Sequence, residues 1–186
     1  MTFIYLFGNA QDLIIANKLR KTLSHYGGVL HIGHQSVTQC PEDAIIRDFK
    51  FLMLESDKAY DINQKEVIFI FKSKQNITDG IPKFKSPAIS VVESHNEPAL
   101  QTLSQMNSAA LSCGMSGRDT LMISSISENS ACISLQRKIT TFEGEVIEPM
   151  DITVKFSGKT EDYVLLCICA VLLLSGELKE GVLELF

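Results

Sequence analysis

The chain has 186 residues, 45% hydrophobic and 21% charged, with a formal net charge of -5. That fits one domain, or one with a small extension, able to bury a sizeable core, and it excludes a disordered chain. Residues 1–100 carry 11 basic and 11 acidic side chains and residues 101–186 carry 6 and 11, so the basic face that nucleic-acid binding requires is missing and no nucleic-acid partner is expected.

The opening run Phe3-Ile4-Tyr5-Leu6-Phe7 ends at Gly8-Asn9 and reads as a strand followed by a turn, without the basic stretch of a signal peptide. From Asp12 to Tyr26, Leu13, Ile14, Ala16, Leu19 and Leu23 recur at helical spacing, and Gly27-Gly28 stops that helix. Val29–Ile32 is a second strand, which makes a β-α-β unit of a parallel sheet. Phe49–Leu54, Glu66–Phe71 and Ala88–Val92 are further apolar runs suited to strands covered on both faces. Pro98–Met106 predicts a helix with proline near its start, and Leu111–Cys113 a short strand.

The pattern then changes. Thr120–Ile126, Ala131–Gln136 and Ile147–Phe156 are β-rich and separated by polar turns, which predicts antiparallel hairpins or a meander. A last helix opens at Thr160 or Glu161, runs through Leu174 and is capped by Gly176. Its apolar stretch, Val164 to Leu174, is too short for the ~20 residues that cross a bilayer, so it reads as a buried helix and no membrane partner is expected. The five cysteines, Cys40, Cys113, Cys132, Cys167 and Cys169, include no C-x-x-C pair and fit neither a disulfide scaffold nor a zinc site; the expected location is a reducing cytoplasm. Lys72, Lys74, Lys83 and Lys85 flank a stretch bearing Gly, Pro and Asn and read as a solvated loop.

Several segments, in order, resemble the ATP-binding central domain of the Mur ligases, which folylpolyglutamate synthases share. Phe3 through Asp12 falls where that family has a strand and then G-T-x-G-K-[ST]. His31-Ile32-Gly33-His34 falls where a family strand ends in I-G. Leu52 through Tyr60 is similar to the strand ending in a glutamate that helps hold magnesium, here Glu55. Ile89 through Pro98 is similar to the segment closing in N-x-D-D-P. Ser112-Cys113-Gly114-Met115, the β-rich stretch and Tyr163–Gly176 resemble the close of the domain. The resemblance implies a mostly parallel, Rossmann-like three-layer α/β sheet with a small antiparallel extension. It would be a single domain over 1–186, its parallel part spanning 1–115 and its extension with the final helix 116–186. The resemblance implies a bacterial protein.

The departures bear on chemistry. A phosphate loop wraps backbone N–H groups around phosphates, neutralises them with lysine and holds magnesium with Ser or Thr. Here the stretch is Gly8-Asn9-Ala10-Gln11-Asp12-Leu13: Asp12 stands at the lysine position and Leu13 at the Ser/Thr position. A carboxylate repels a triphosphate, and Asp12 in the first turn already satisfies the helix dipole. The segment between Phe71 and Pro87 is short for the family, and the separate ligase domain is expected to be missing. ATP-driven ligation is therefore not expected and no catalytic residue is assigned, which makes the chain a pseudoenzyme with a degenerate phosphate loop.

The residues left as candidates for ligand binding are Gly8, Asn9, Glu55, Asp57, Glu93, His95 and Asn96, all at or just past strand ends, where open α/β sheets bind ligands. Glu55 is the candidate metal ligand if a metal is held. No cofactor is expected as a resident group, with magnesium-nucleotide kept open. His31-Ile32-Gly33-His34 spells the HIGH signature of class I aminoacyl-tRNA synthetases, but it closes a second strand and lacks a K-M-S-K-S partner, so it reads as chance. As a metal pair it fails, because residues three apart in a strand face opposite ways. A Cys-His dyad through Cys113 or Cys40 has nothing local to activate the thiol, and Ser116-Gly117-Arg118-Asp119 reads as a linking turn.

Three functions follow: a non-catalytic binding or regulatory module acting with a protein partner or as a homo-oligomer; a nucleotide- or anion-binding protein that keeps the crevice; and an enzyme of unrelated chemistry using the crevice carboxylates and His95. The apolar end Val182–Phe186 would add an edge strand, pack on a second subunit, or pack on the chain's own core.

Overall fold

A computed structural model describes residues 1–34, 36–40, 49–73, 80–106, 108–178 and 181–185, with the backbone alone described for Gln39 and Cys40. The fold is α/β, and the chain divides into two compact units: Met1–Val92 with Asn96–Ala110, and Glu93–His95 with Leu111–Phe186.

The strands and helices of the first unit are, in order, β1 (Thr2–Phe7), α1 (Ile14–Leu23), β2 (Gly28–Ile32), β3 (Val37–Cys40), β4 (Phe49–Ser56), β5 (Asp61–Ile62), β6 (Val67–Phe71), β7 (Lys83–Phe84), β8 (Ala88–Glu93) and α2 (Glu97–Ser104). Its sheet runs β3-β2-β4-β1-β6-β8. Every neighbouring pair in it is parallel except β2 with β3, which is antiparallel at the edge. β1 is central, and the chain builds first to one side of it, through β2 and β4, and then to the other, through β6 and β8. The order therefore reverses at β1, the place where such sheets open a crevice beyond their carboxyl ends.

Central position explains composition. All six residues of β1 and all five of β6 are buried, as continuous apolar runs must be when both faces are covered. On one face Phe3, Tyr5 and Phe7 of β1 pack with Val67, Phe69 and Phe71 of β6 and with Ile62, Ala88, Val92 and Ala99. Phe69 and Phe71 meet edge to face, with ring centroids 4.7 Å apart. α1 buries Ile15, Ala16, Leu19 and Leu23; of the expected stripe Ala16, Leu19 and Leu23 are on this face, while Leu13 and Ile14 are exposed and Ile15 is buried in their place. It begins at Ile14 and not at Asp12, because Asp12 is spent on the turn before it.

The second unit contains most of β9 (Ala109–Gly114), then β10 (Leu121–Ile126), β11 (Ser130–Leu135), the short pair β12 (Ile139–Thr140) and β13 (Val146–Ile147), β14 (Met150–Lys155), α3 (Asp162–Leu174) and β15 (Val182–Glu184). Its sheet runs β15-β14-β11-β10-β9. The expected antiparallel part is β10-β11-β14. The predicted single run Ile147–Phe156 is divided between β13 and β14 at Glu148-Pro149, since proline has no N–H for a ladder. β15 pairs in parallel with β14, so the apolar chain end adds an edge strand to its own sheet as far as Glu184; Phe186 lies outside the described residues.

α3 is buried on every side from Tyr163 to Leu174, which accounts for its uniformly apolar sequence. It ends where Gly176, at φ +74°, lets the N–H groups of Gly176 and Glu177 turn back onto Leu173 O and Leu172 O. No helix among the described residues is long and apolar enough to cross a membrane.

Candidate functional site

Parallel register carries the ends of three strands to one level. Leu6 of β1 pairs with Glu55 of β4 on one side and Ile70 of β6 on the other. The ladder continues one step past the strands: Gly8 N–H donates to Ser56 O (3.1 Å) and Lys72 N–H to Phe7 O (2.9 Å). Gly8 sits at φ +146°, a backbone setting suited to glycine. Gly8, Glu55 and Lys72 are thereby brought together although they lie far apart in sequence.

Lys72 is the residue the sequence misplaces. It belongs to no solvated loop: its side chain is 0% exposed, as is that of Glu55. The ammonium lies under the turn that follows β1 and donates to Asn9 O (2.9 Å), to Asp12 O (2.8 Å) and to Glu55 Oε1. A buried ammonium needs such partners, since an unpaired one would lose its proton or unfold its surroundings. Lys83 and Lys85 are exposed, and Lys74 lies outside the described residues.

The other oxygen of Glu55, Oε2, stands 3.2 Å from His31 Nε2. The two atoms are within ion-pair range but out of hydrogen-bond alignment. Burial alone would raise the Glu55 carboxyl; the contacts with His31 and Lys72 and their charges outweigh it and hold the group below the usual carboxylate range. His31 alternates with Val29 on the buried face of β2 and meets Glu55 directly, a role unconnected with the HIGH signature its neighbours spell.

The loop's own donors are consumed locally. Gln11 N–H donates to Asn9 Oδ1 (2.9 Å), Asp12 N–H to Asn9 O (3.1 Å) and Ile14 N–H to Asp12 Oδ1 (3.3 Å), the last holding the first turn of α1. With Gly8 N–H on Ser56 O, four of the N–H groups between Gly8 and Ile14 have internal acceptors. The turn directs two carbonyls at an ammonium, the reverse of a phosphate cradle, which directs N–H groups at an anion.

Beside this network opens a cavity of about 900 Å³, bordered by the turn (Asn9, Ala10, Gln11), by α1 (Leu13, Asn17, Arg20), by the β2–β3 region (His31, Gly33, His34, Ser36, Thr38) and by Glu55 and Asp57. Of the sequence candidates, Asn9, Glu55 and Asp57 come together here, and Gly8 lies directly behind in the same turn. Asn96 plays a different part: it is the N-cap of α2, its Oδ1 accepting from Ala99 N–H (3.2 Å) while its Nδ2 donates to Lys72 O (3.2 Å). It fixes the backbone of Lys72.

Glu93 and His95 fall in the second unit. There burial, with Glu161 and Asp162 nearby, raises the Glu93 carboxyl against the opposing pull of His95. Ser94 and the turn after β9 are tied by Asp119, which accepts from Ser94 Oγ (3.3 Å) and Ser116 N–H (3.1 Å). No group of three or more His, Cys, Asp or Glu side chains among the described residues is placed to hold a metal ion.

No protein-family model and no curated protein sequence matches the chain. Solved structures do. A UDP-N-acetylmuramoyl-L-alanyl-D-glutamate--2,6-diaminopimelate ligase matches over 95% of this chain and 43% of its own, at 11% identity and a TM-score of 0.51. MurF from Acinetobacter baumannii matches over 95% of this chain and 43% of its own, at 12% identity and 0.54. MurF ligase from Thermotoga maritima, in complex with ADP, matches over 97% and 47%, at 14% identity and 0.53. The chain spans less than half the length of these ligases. At such identities the likeness defines the fold, which is a Mur-ligase-like α/β domain.

Proposed function

We propose that this chain is a non-catalytic, Mur-ligase-like binding or regulatory module whose phosphate-loop site is filled from within by Lys72. The observation that supports it is the set of three bonds from the Lys72 ammonium to Asn9 O, Asp12 O and Glu55 Oε1. Glu55, matched by the resemblance to a magnesium-holding glutamate, has an ammonium as its cation. The carbonyls of the turn face inward, and the N–H groups of Gly8, Gln11, Asp12 and Ile14 are engaged. A triphosphate entering here would meet spent donors and the Asp12 carboxylate. As a module the chain would act with a protein partner or a second copy of itself, in the cytoplasm.

Calorimetric titration with ATP and ADP, each with magnesium, tests this reading. The expected result is no heat of binding and no chain-dependent ATP hydrolysis. Submillimolar binding of either nucleotide, abolished by Glu55→Ala, would overturn it.

A further inference from the structure

The cavity beside the filled loop is a site in its own right, and its chemistry selects a ligand class; this inference rests on the reading of the loop as filled. Among the described residues only four buried side-chain polar atoms lack a hydrogen-bond partner, and three of them, His31 Nε2, Glu55 Oε2 and Asp57 Oδ1, belong to residues bordering this one cavity. Buried polar atoms are seldom left so; His31 Nε2 and Glu55 Oε2 stand 3.2 Å apart as an ion pair, which leaves Asp57 Oδ1 with no partner of either kind at the border of a cavity of ligand size. The Glu55 side chain is fully buried and that of His31 is 8% exposed, so bulk solvent does not stand in for a ligand.

Carboxylate oxygens accept and do not donate. Glu55 already has the Lys72 ammonium on Oε1 and His31 beside Oε2, so what Oε2 lacks is a hydrogen-bond donor and not a compensating charge. Asp57 Oδ1 has the same lack. Around them stand neutral groups that both donate and accept, the amides of Gln11 and Asn17 and the hydroxyls of Ser36 and Thr38. A ligand rich in hydroxyls answers all of these together. A phosphate would find the N–H groups of Gly8, Gln11, Asp12 and Ile14 engaged and would meet the Asp57 carboxylate, with Arg20 the one always-charged cation at the border, and a nucleobase would have no Phe, Tyr or Trp ring among the lining residues to stack on. The volume, about 900 Å³, lies within the range of small-molecule sites. We propose that this cavity binds a neutral polyhydroxylated small molecule, a monosaccharide or cyclic polyol, with Asp57 and Glu55 accepting from its hydroxyl groups.

Ligand-observed NMR on the full chain, with D-glucose, D-ribose, N-acetyl-D-glucosamine and myo-inositol as neutral probes and ethylammonium, inorganic phosphate and magnesium-ATP as the others, tests the proposal. Saturation transfer to at least one neutral probe is expected, with Asp57→Ala weakening it about ten- to hundredfold. The melting temperature of Asp57→Ala, measured beside its binding, separates lost binding from lost fold. No transfer to any neutral probe at millimolar concentration overturns the polyol assignment, as does transfer that Asp57→Ala leaves unchanged. Transfer to ethylammonium alone makes the cavity a cation site and overturns the polyol while leaving the filled loop standing. Transfer to phosphate or ATP overturns both readings at once.

Discussion

Replacing Lys72 by methionine keeps the length of the side chain and removes its charge, and the consequences are calculable. Glu55 would lose its main cation while staying fully buried, and Asn9 O and Asp12 O would each lose a donor. Removing one partner of a buried ion pair costs about 3–5 kcal/mol, because the remaining charge is left uncompensated. His31, 3.2 Å from Oε2, recovers part of that, and the freed carbonyls add to the loss. In a chain of this size each kcal/mol moves the melting temperature by roughly 2–4 °C, so a fall of about 10 °C is expected for Lys72→Met. The pairing itself is read from a double-mutant cycle. Lys72→Met with Glu55→Gln removes both charges, and the pair should be less destabilised than the sum of the singles by about 1–3 kcal/mol. Urea unfolding of the four proteins measures both quantities. A Lys72→Met protein melting within about 2 °C of the parent, or a cycle that is additive, would show that the ammonium does not hold this turn.

Two further outcomes follow from the same physics. Glu55 has a folded-state carboxyl below its ordinary value, so the unfolded chain binds the extra proton. The stability from Glu55 is thus complete above pH of about 4.5 and is lost as pH falls through the lower, folded value; melting curves should show that acid-side loss in the parent and a flatter profile in Glu55→Gln. Cys113, Cys167 and Cys169 are buried in apolar surroundings, and burial pushes their thiols up, Cys169 to about 12. Iodoacetamide at pH 8 should therefore add at most two labels to the native chain by mass spectrometry and five after denaturation.

The strands of the first unit were legible because buried parallel strands write themselves as continuous apolar runs, and β1, β4, β6 and β8 all lie within two residues of their expected limits. β3, β5 and β7 were not, since Val37-Thr38-Gln39-Cys40 is short and half polar and the other two have two residues each. At the site, Gly8, Asn9, Glu55 and Asp57 could be found because they follow recognisable strands. Lys72 could not. Its neighbours Ser73 and Lys74 give it the local look of a charged loop, and its burial depends on partners 60, 63 and 17 residues away. His31 left a fainter signal, since a period of two carried from Val29 places it on the same buried face.

Restoring the loop's lost letters tests whether the site has merely decayed or has been rebuilt. Asp12→Lys with Leu13→Thr would return the lysine and hydroxyl of a phosphate loop to Gly8-Asn9-Ala10-Gln11. Simple decay predicts that magnesium-ATP binding then reappears. The geometry predicts otherwise. Lys72 would still draw the carbonyls of residues 9 and 12 inward and still occupy Glu55, and a second ammonium entering the same turn would be repelled by the first. The substitution also removes the Asp12 Oδ1 that accepts from Ile14 N–H and holds the start of α1. Calorimetry with magnesium-ATP should stay silent for that double variant. Recovery of submillimolar binding without any change at residue 72 would mean that the ammonium fills the site only by default, and that a nucleotide can displace it once two side chains are right.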